Sequence, residues 1–244
     1  MTLNASQSPS KIGLLDLWRQ FIPLSLSDVA MAFGDPMMTT ALAHLPDARV
    51  NLAAVGIAKA LAVFFESPII MILHASNALA PSGRSRRALW RFTLLAGGGL
   101  SALLFLLTLP FIFATLGGTL LGIPPQLRQT VQIVLTLMFL WPFAIAWRRY
   151  FQGLLIHTGH SQAVATASIA RLVIVALVLI IGFTVKMSGA LLAGTALMAG
   201  VLSEALVVTI AARRLGATRP PLPTDSELKL PTNLKSVWNF YWPL

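Results

Sequence analysis

Six stretches of this chain are predominantly apolar and long enough to cross a bilayer: residues 18–45, 50–80, 88–121, 127–156, 162–185 and 188–212. A membrane-spanning helix takes about 20 residues. In hydrocarbon every backbone N–H and C=O must be satisfied within the protein, so only helices and closed barrels can span. The strict alternation of a membrane barrel is absent. The pattern therefore predicts an all-α membrane protein, a six-transmembrane-helix bundle. Charged residues make up 11% of the chain, against about 25% in a soluble domain, and the mean hydropathy is +0.77.

The net charge of +10 does not indicate a nucleic-acid partner, because most basic residues flank the apolar stretches, where topology places them. Arg84, Arg86, Arg87 and Arg91 follow the second stretch, Arg148 and Arg149 end the fourth, and Arg213, Arg214, Arg219, Lys229 and Lys235 follow the sixth. Lys11 and Arg19 open the chain, whereas the other side holds Arg49, Arg128 and Lys186. This bias predicts a cytoplasmic N-terminus, in a plasma or bacterial inner membrane. With no cysteine, disulfides and thiolate metal sites are excluded. The polar segment up to Gly13 is followed by no signal-peptide pattern, and Asn4-Ala5-Ser6 reads as a chance glycosylation sequon.

The expected organisation is a cytoplasmic N-terminus (1–17), the bundle (18–212), a polar cytoplasmic linker (213–233) and the start of a seventh helix (234–244). Pro220, Pro221, Pro223 and Pro231 keep the linker extended. The spacing Leu14-x3-Trp18-x4-Pro23-Leu24 returns as Leu234-x3-Trp238-x4-Pro243-Leu244. That repeat suggests the first half of a duplicated transporter, whose partner is a missing C-terminal six-helix bundle or a second copy of the chain. Gly97, Gly98, Gly99, Gly194 and Gly200 are read as helix-packing positions. Pro36, Pro68, Pro110 and Pro142 lie inside the stretches and are expected to kink them, with Pro36 and Pro68 as candidate hinges.

Six ionisable residues fall inside the stretches: Asp28, Asp35, Lys59, Glu66, Arg171 and Glu204. Intramembrane charge is costly and by default marks a functional site. Treating the first two stretches as an antiparallel hairpin puts Asp35 level with Lys59 and Asp28 level with Glu66. Asp28 and Asp35 are seven residues apart, two turns or about 10.5 Å, and so share a helix face. The expectation is an Asp35–Lys59 pair, with Asp28 and Glu66 as a deeper carboxylate level. Two carboxylates in a low-dielectric site resist joint ionisation, which is one way to build a proton-coupling site; locking the two helices together is the alternative. Arg171 and Glu204 come to matching depth in the last hairpin. They are read as a structural salt bridge, or Arg171 as a contact for an anionic substrate. His74 and Asn77 share one turn, and His157 and His160 are a weak metal pattern. No Walker A, Gly-x-Ser-x-Gly or His-Glu-x-x-His motif is present, so neither an enzyme, a catalytic residue nor a metal is expected.

Phe33-Gly34-Asp35, Ala41-Leu42-Ala43 and Leu52-Ala53-Ala54-Val55-Gly56 resemble the first two helices of multidrug and toxin extrusion (MATE) transporters. Arg148-Arg149-Tyr150-Phe151-Gln152-Gly153 with Gly159-His160 resembles the loop before their fifth helix. Gly56-Ile57-Ala58 with Phe64-Phe65, Ala167-Ser168-Ile169 and Trp242-Pro243-Leu244 more closely resemble the progressive ankylosis (ANK) family of the same multidrug/oligosaccharidyl-lipid/polysaccharide (MOP) flippase superfamily. The resemblance implies two six-helix bundles and alternating access through a cavity between them. It also implies a cation-coupling acid matching Asp35 and, for ankylosis-like members, export of small anions. The resulting expectation is a secondary transporter, or its N-terminal half, coupled to H+ or Na+ and exporting a small solute, with no other cofactor. A lipid-linked-precursor flippase and a non-transporting scaffold subunit are the alternatives.

Overall fold

The computed structural model describes residues 14–219 and 230–242. The N-terminal tail with its sequon, most of the proline-rich linker and the closing Pro243-Leu244 lie outside the described residues. Helix α1 (Leu14–Ala43) runs unbroken through Pro23 and Pro36. It turns at Asp47, which takes a left-handed conformation (φ 55°), into α2 (Ala48–Glu66). The second expected span does not continue as one helix. Pro68 lacks an N–H and forces a short 3-10 turn over Ser67–Ile69, after which α3 (Ile72–Leu79) carries the chain on.

Helix α4 (Gly83–Thr108) is capped by the Ser82 hydroxyl, which accepts from Ser85 N–H at 3.3 Å. The expected third span ran to residue 121, but the helix stops at Thr108. Pro110 holds the preceding Leu109 extended, and the chain restarts as α5 (Pro110–Thr115) and a π turn over Leu116–Leu120. The fourth span is likewise two helices, α6 (Pro125–Leu137) and α7 (Trp141–His157), with Pro142 in the first turn of α7. Helices α8 (Ser161–Thr184) and α9 (Gly189–Arg214) form the last hairpin, and α10 (Leu234–Tyr241) follows. Five units are long and apolar enough to cross a membrane: Ala48–Leu79, Gly83–Thr108, Pro125–His157, Ser161–Thr184 and Gly189–Arg214. At 30 residues α1 has the length, but its carboxylates, prolines and serines leave it less apolar than these five.

Helix α9 is the most enclosed of the five units and packs against α8, α7 and α6. Helix α7 also contacts α3 and α4, and α1 lies along α8 more than along α2. Small residues permit these approaches. A Cβ on Gly153 of α7 would fall 2.5 Å from the Leu73 carbonyl oxygen, and one on Gly97 of α4 would fall 2.8 Å from Ala146 Cβ. Gly98 and Gly99 meet nothing within 4 Å, so of that triplet Gly97 alone makes the close approach. Helix α10 is held on α4 by Tyr241, whose hydroxyl donates to the Pro68 carbonyl at 2.6 Å and whose ring lies 5.0 Å from that of Phe92.

Candidate functional site

The interior of the bundle is organised by Glu204 on α9, which is fully buried. Its Oε2 is paired with Arg148 and accepts from Arg171 Nη1 at 3.2 Å. Its Oε1 accepts from Gln152 Nε2 at 3.1 Å and from Ser168 Oγ at 3.2 Å. Ser168 in turn shares a 2.6 Å hydrogen bond with Ser27 on α1. One carboxylate thus ties α1, α7, α8 and α9 together. The expected Arg171–Glu204 contact is present, but Arg148 is the more deeply buried partner at 2% exposure, against 19% for the Arg171 side chain. A carboxylate at that depth is tolerated because its lone pairs are met by charged and neutral donors.

Arg148 and Arg149 do not sit at the rim of the bundle, where the charge pattern placed them. Helix α7 runs on to His157, about 12 Å beyond Arg149 at 1.5 Å per residue. Arg149 is half-buried, and Glu66, Glu204 and Asp28 are all near enough to act on it electrostatically. Its Nε is buried and has no hydrogen-bond partner among the described residues.

Arg149 lines a cavity of about 380 Å³ between α1, the Pro68 break, α7 and α8. Ser27, Asp28, His74 and Gln152 are its other polar walls, and Met31, Ile156 and Val164 are among its apolar ones. Asp28 is exposed, so its carboxylate meets this open space.

The expected Asp28–Glu66 level does not form as a pair. Glu66 is buried and its Oε2 accepts from the indole Nε1 of Trp141 at 2.9 Å, while Asp28 borders the cavity. Equal depth does not fix the helix face: Glu66 closes α2 and is turned toward α7, where the Trp141 indole meets it. Higher on the same two helices, Lys59 Nζ is paired with Asp35, and this pair is largely open, with side-chain exposures of 33% and 61%. Pro36 follows Asp35 inside the continuous α1, whereas Pro68 lies at the break. Among the described residues no cluster of three or more His, Cys, Asp or Glu is placed to hold a metal. His160 Nδ1 lies 3.0 Å from Thr158 Oγ1.

Arg148, Arg149, Gln152, Ser27, Ser168 and Trp141 were missed as interior residues by reading the sequence. For two of them a signal existed. Arg148 and Gln152 are four apart on a helix that continues well past both, so they share a face, and a polar face on an apolar helix points inward.

The chain resembles known transporters in fold. A solved outward-facing structure of a multidrug resistance MATE-family transporter of the MOP superfamily superposes with a TM-score of 0.61 at 16% identity, over 98% of this chain and 55% of that one. This chain therefore spans about half the length of that transporter. No curated protein matches it. The family model for the progressive ankylosis protein (ANKH) matches residues 5–244, nearly the whole chain. On that match, this all-helical membrane chain belongs to the progressive ankylosis protein family, on a MATE-like fold.

Proposed function

We propose that the chain forms one half of a secondary transporter that exports a small organic or phosphate-containing anion by cation-coupled alternating access. The observation that carries this reading is the cavity lined by Arg149 beside Asp28 and Gln152, the buried Nε of that arginine having no partner among the described residues. A planar fork in a partly dry site suits a carboxylate or phosphate. Its position also fits: the cavity lies against the break at Pro68, which can absorb a change in helix direction. The exposed face of α1, with Phe21, Val29 and Phe33 around Asp28 and Asp35, is the surface to which a second bundle or a second copy would be opposed.

In this reading Arg149 holds the solute. Asp35 takes the coupling cation, a proton or sodium, in competition with Lys59. Asp28 sets the charge beside Arg149, and Glu66 is held in place by Trp141. Glu204, with Arg148 and Arg171, keeps the inner wall rigid.

The test is flux in proteoliposomes made from the full reading frame, under an imposed pH or sodium gradient, for phosphate, pyrophosphate, citrate and a cationic dye. Wild type is expected to move at least one anion in a gradient-dependent way. Arg149→Gln should abolish that flux, and Asp35→Asn should remove its gradient dependence. Flux of the dye without any anion would refute the assignment of the solute. Absence of all flux from folded protein would favour a scaffold.

A further inference from the structure

A second cavity, of about 630 Å³, opens at the N-terminal end of α4, away from the central charges. Arg86, Arg87 and Trp90 of α4, Tyr150 of α7, Arg213 at the end of α9 and Thr218 beyond it line this space. Three arginines from two helices meet there, and no carboxylate lines it among the described residues. Arg86 is 93% buried, as its 7% exposure states. Its two terminal nitrogens donate to the carbonyls of Ala217 and Arg219, which pins the chain beyond α9 onto α4. Its Nε is buried without a partner among the described residues.

We propose that this cavity binds a phosphate-bearing anion. Arg87 and Arg213 are exposed and free to close on a ligand, while Arg86 is already positioned by its backbone partners. Three like charges around one concavity repel each other, and an anion removes that repulsion. The guanidinium fork matches phosphate oxygens in two-point fashion. Helix α4 is 26 residues long and begins at Gly83, on the cavity wall, so its N-terminal dipole has the same sign as the arginines. The remaining walls are aromatic and apolar, including Trp90 and Phe151. A basic, aromatic-edged pocket between helices at a membrane boundary suits the headgroup of an anionic phospholipid, and the same donors would accept free phosphate.

The experiment uses the purified, delipidated protein in a neutral detergent. Short-chain phosphatidylglycerol, phosphatidylcholine and inorganic phosphate are titrated separately, with tryptophan fluorescence and native mass spectrometry as readouts. Saturable binding of one phosphatidylglycerol is expected, at least tenfold tighter than phosphatidylcholine. The Arg87→Gln/Arg213→Gln double variant should weaken it at least tenfold with an unchanged Tm, since both side chains are exposed. Arg149→Gln should leave it unaltered, which separates this site from the central cavity and from the transport reading. Phosphate binding as tightly as phosphatidylglycerol would assign the site to a soluble anion; phosphatidylglycerol alone would assign it to a lipid. Equal binding of both lipids, or no loss in the double variant, would each overturn the proposal.

Discussion

Replacing Glu204 by glutamine removes one charge from the centre of the bundle and almost no volume. In the native protein the carboxylate is fully buried and meets Arg148, Arg171, Gln152 and Ser168. An amide has one acceptor oxygen. If that oxygen faces the arginines, its NH2 faces the Gln152 amide and the Ser168 hydroxyl; the reverse orientation puts two donors against two guanidinium groups. Either way Arg148, 2% exposed, keeps a charge with no counter-ion. Breaking a buried pair from one side costs about 3–5 kcal/mol. For a chain of 244 residues each kcal/mol moves Tm by roughly 2–4 °C, so Glu204→Gln should lower Tm by about 6–20 °C. The assay is thermal unfolding of the detergent-purified protein, followed by tryptophan fluorescence. Adding Arg148→Met should restore part of the loss, because removing both partners leaves no orphaned charge there. A Tm within about 2 °C of wild type for Glu204→Gln, or strictly additive losses in the double variant, would refute the account of Glu204 as the electrostatic tie of the bundle.

Trp141→Phe deletes the 2.9 Å hydrogen bond to Glu66 and should cost about 1–3 kcal/mol in thermal unfolding; the added change Glu66→Gln should recover part of it. Gly153→Val sets side-chain carbons where even a Cβ would lie 2.5 Å from the Leu73 carbonyl, and overpacking of about 1–3 kcal/mol or more should appear as lowered Tm and reduced yield of folded protein. Asp35→Asn breaks a pair with side chains 33% and 61% exposed, so its stability cost should stay within about 1 kcal/mol; a fall in transport without a fall in Tm would then report on coupling. His74→Ala opens the central cavity at an exposed position and should leave Tm within about 2 °C of wild type, while changing the rate of any flux through that cavity.

Much of the architecture was legible because the bilayer restricts what an apolar chain can do. Long apolar stretches become helices, and their lengths follow from the thickness of hydrocarbon. The breaks were partly legible. Pro68 and Pro110 interrupt their helices, yet Pro23 and Pro36 lie within one continuous α1. Proline removes a single hydrogen bond, and the neighbours decide whether the helix ends there. The Asp35–Lys59 and Arg171–Glu204 contacts followed from matching depth along two hairpins, a property that residue numbers carry directly.

Depth alone did not decide which charges meet. Each residue turns a helix by about 100°, so a partner is set by rotation about the axis and by which helices are neighbours. Glu66 faces Trp141 of α7 rather than Asp28 of α1, and Glu204 takes Arg148 from a helix that is not its hairpin partner. The sequence by itself determined a helical membrane protein, most of its apolar spans and part of the set of charges within them. The tertiary structure alone decided that Arg148 and Arg149 lie in the interior, that one carboxylate gathers four helices' polar groups, and that Asp28 opens onto a cavity. The reason is that hydrophobic length is a local property of the chain, whereas the pairing of buried charges is settled by contacts between residues as far apart as Ser27 and Ser168.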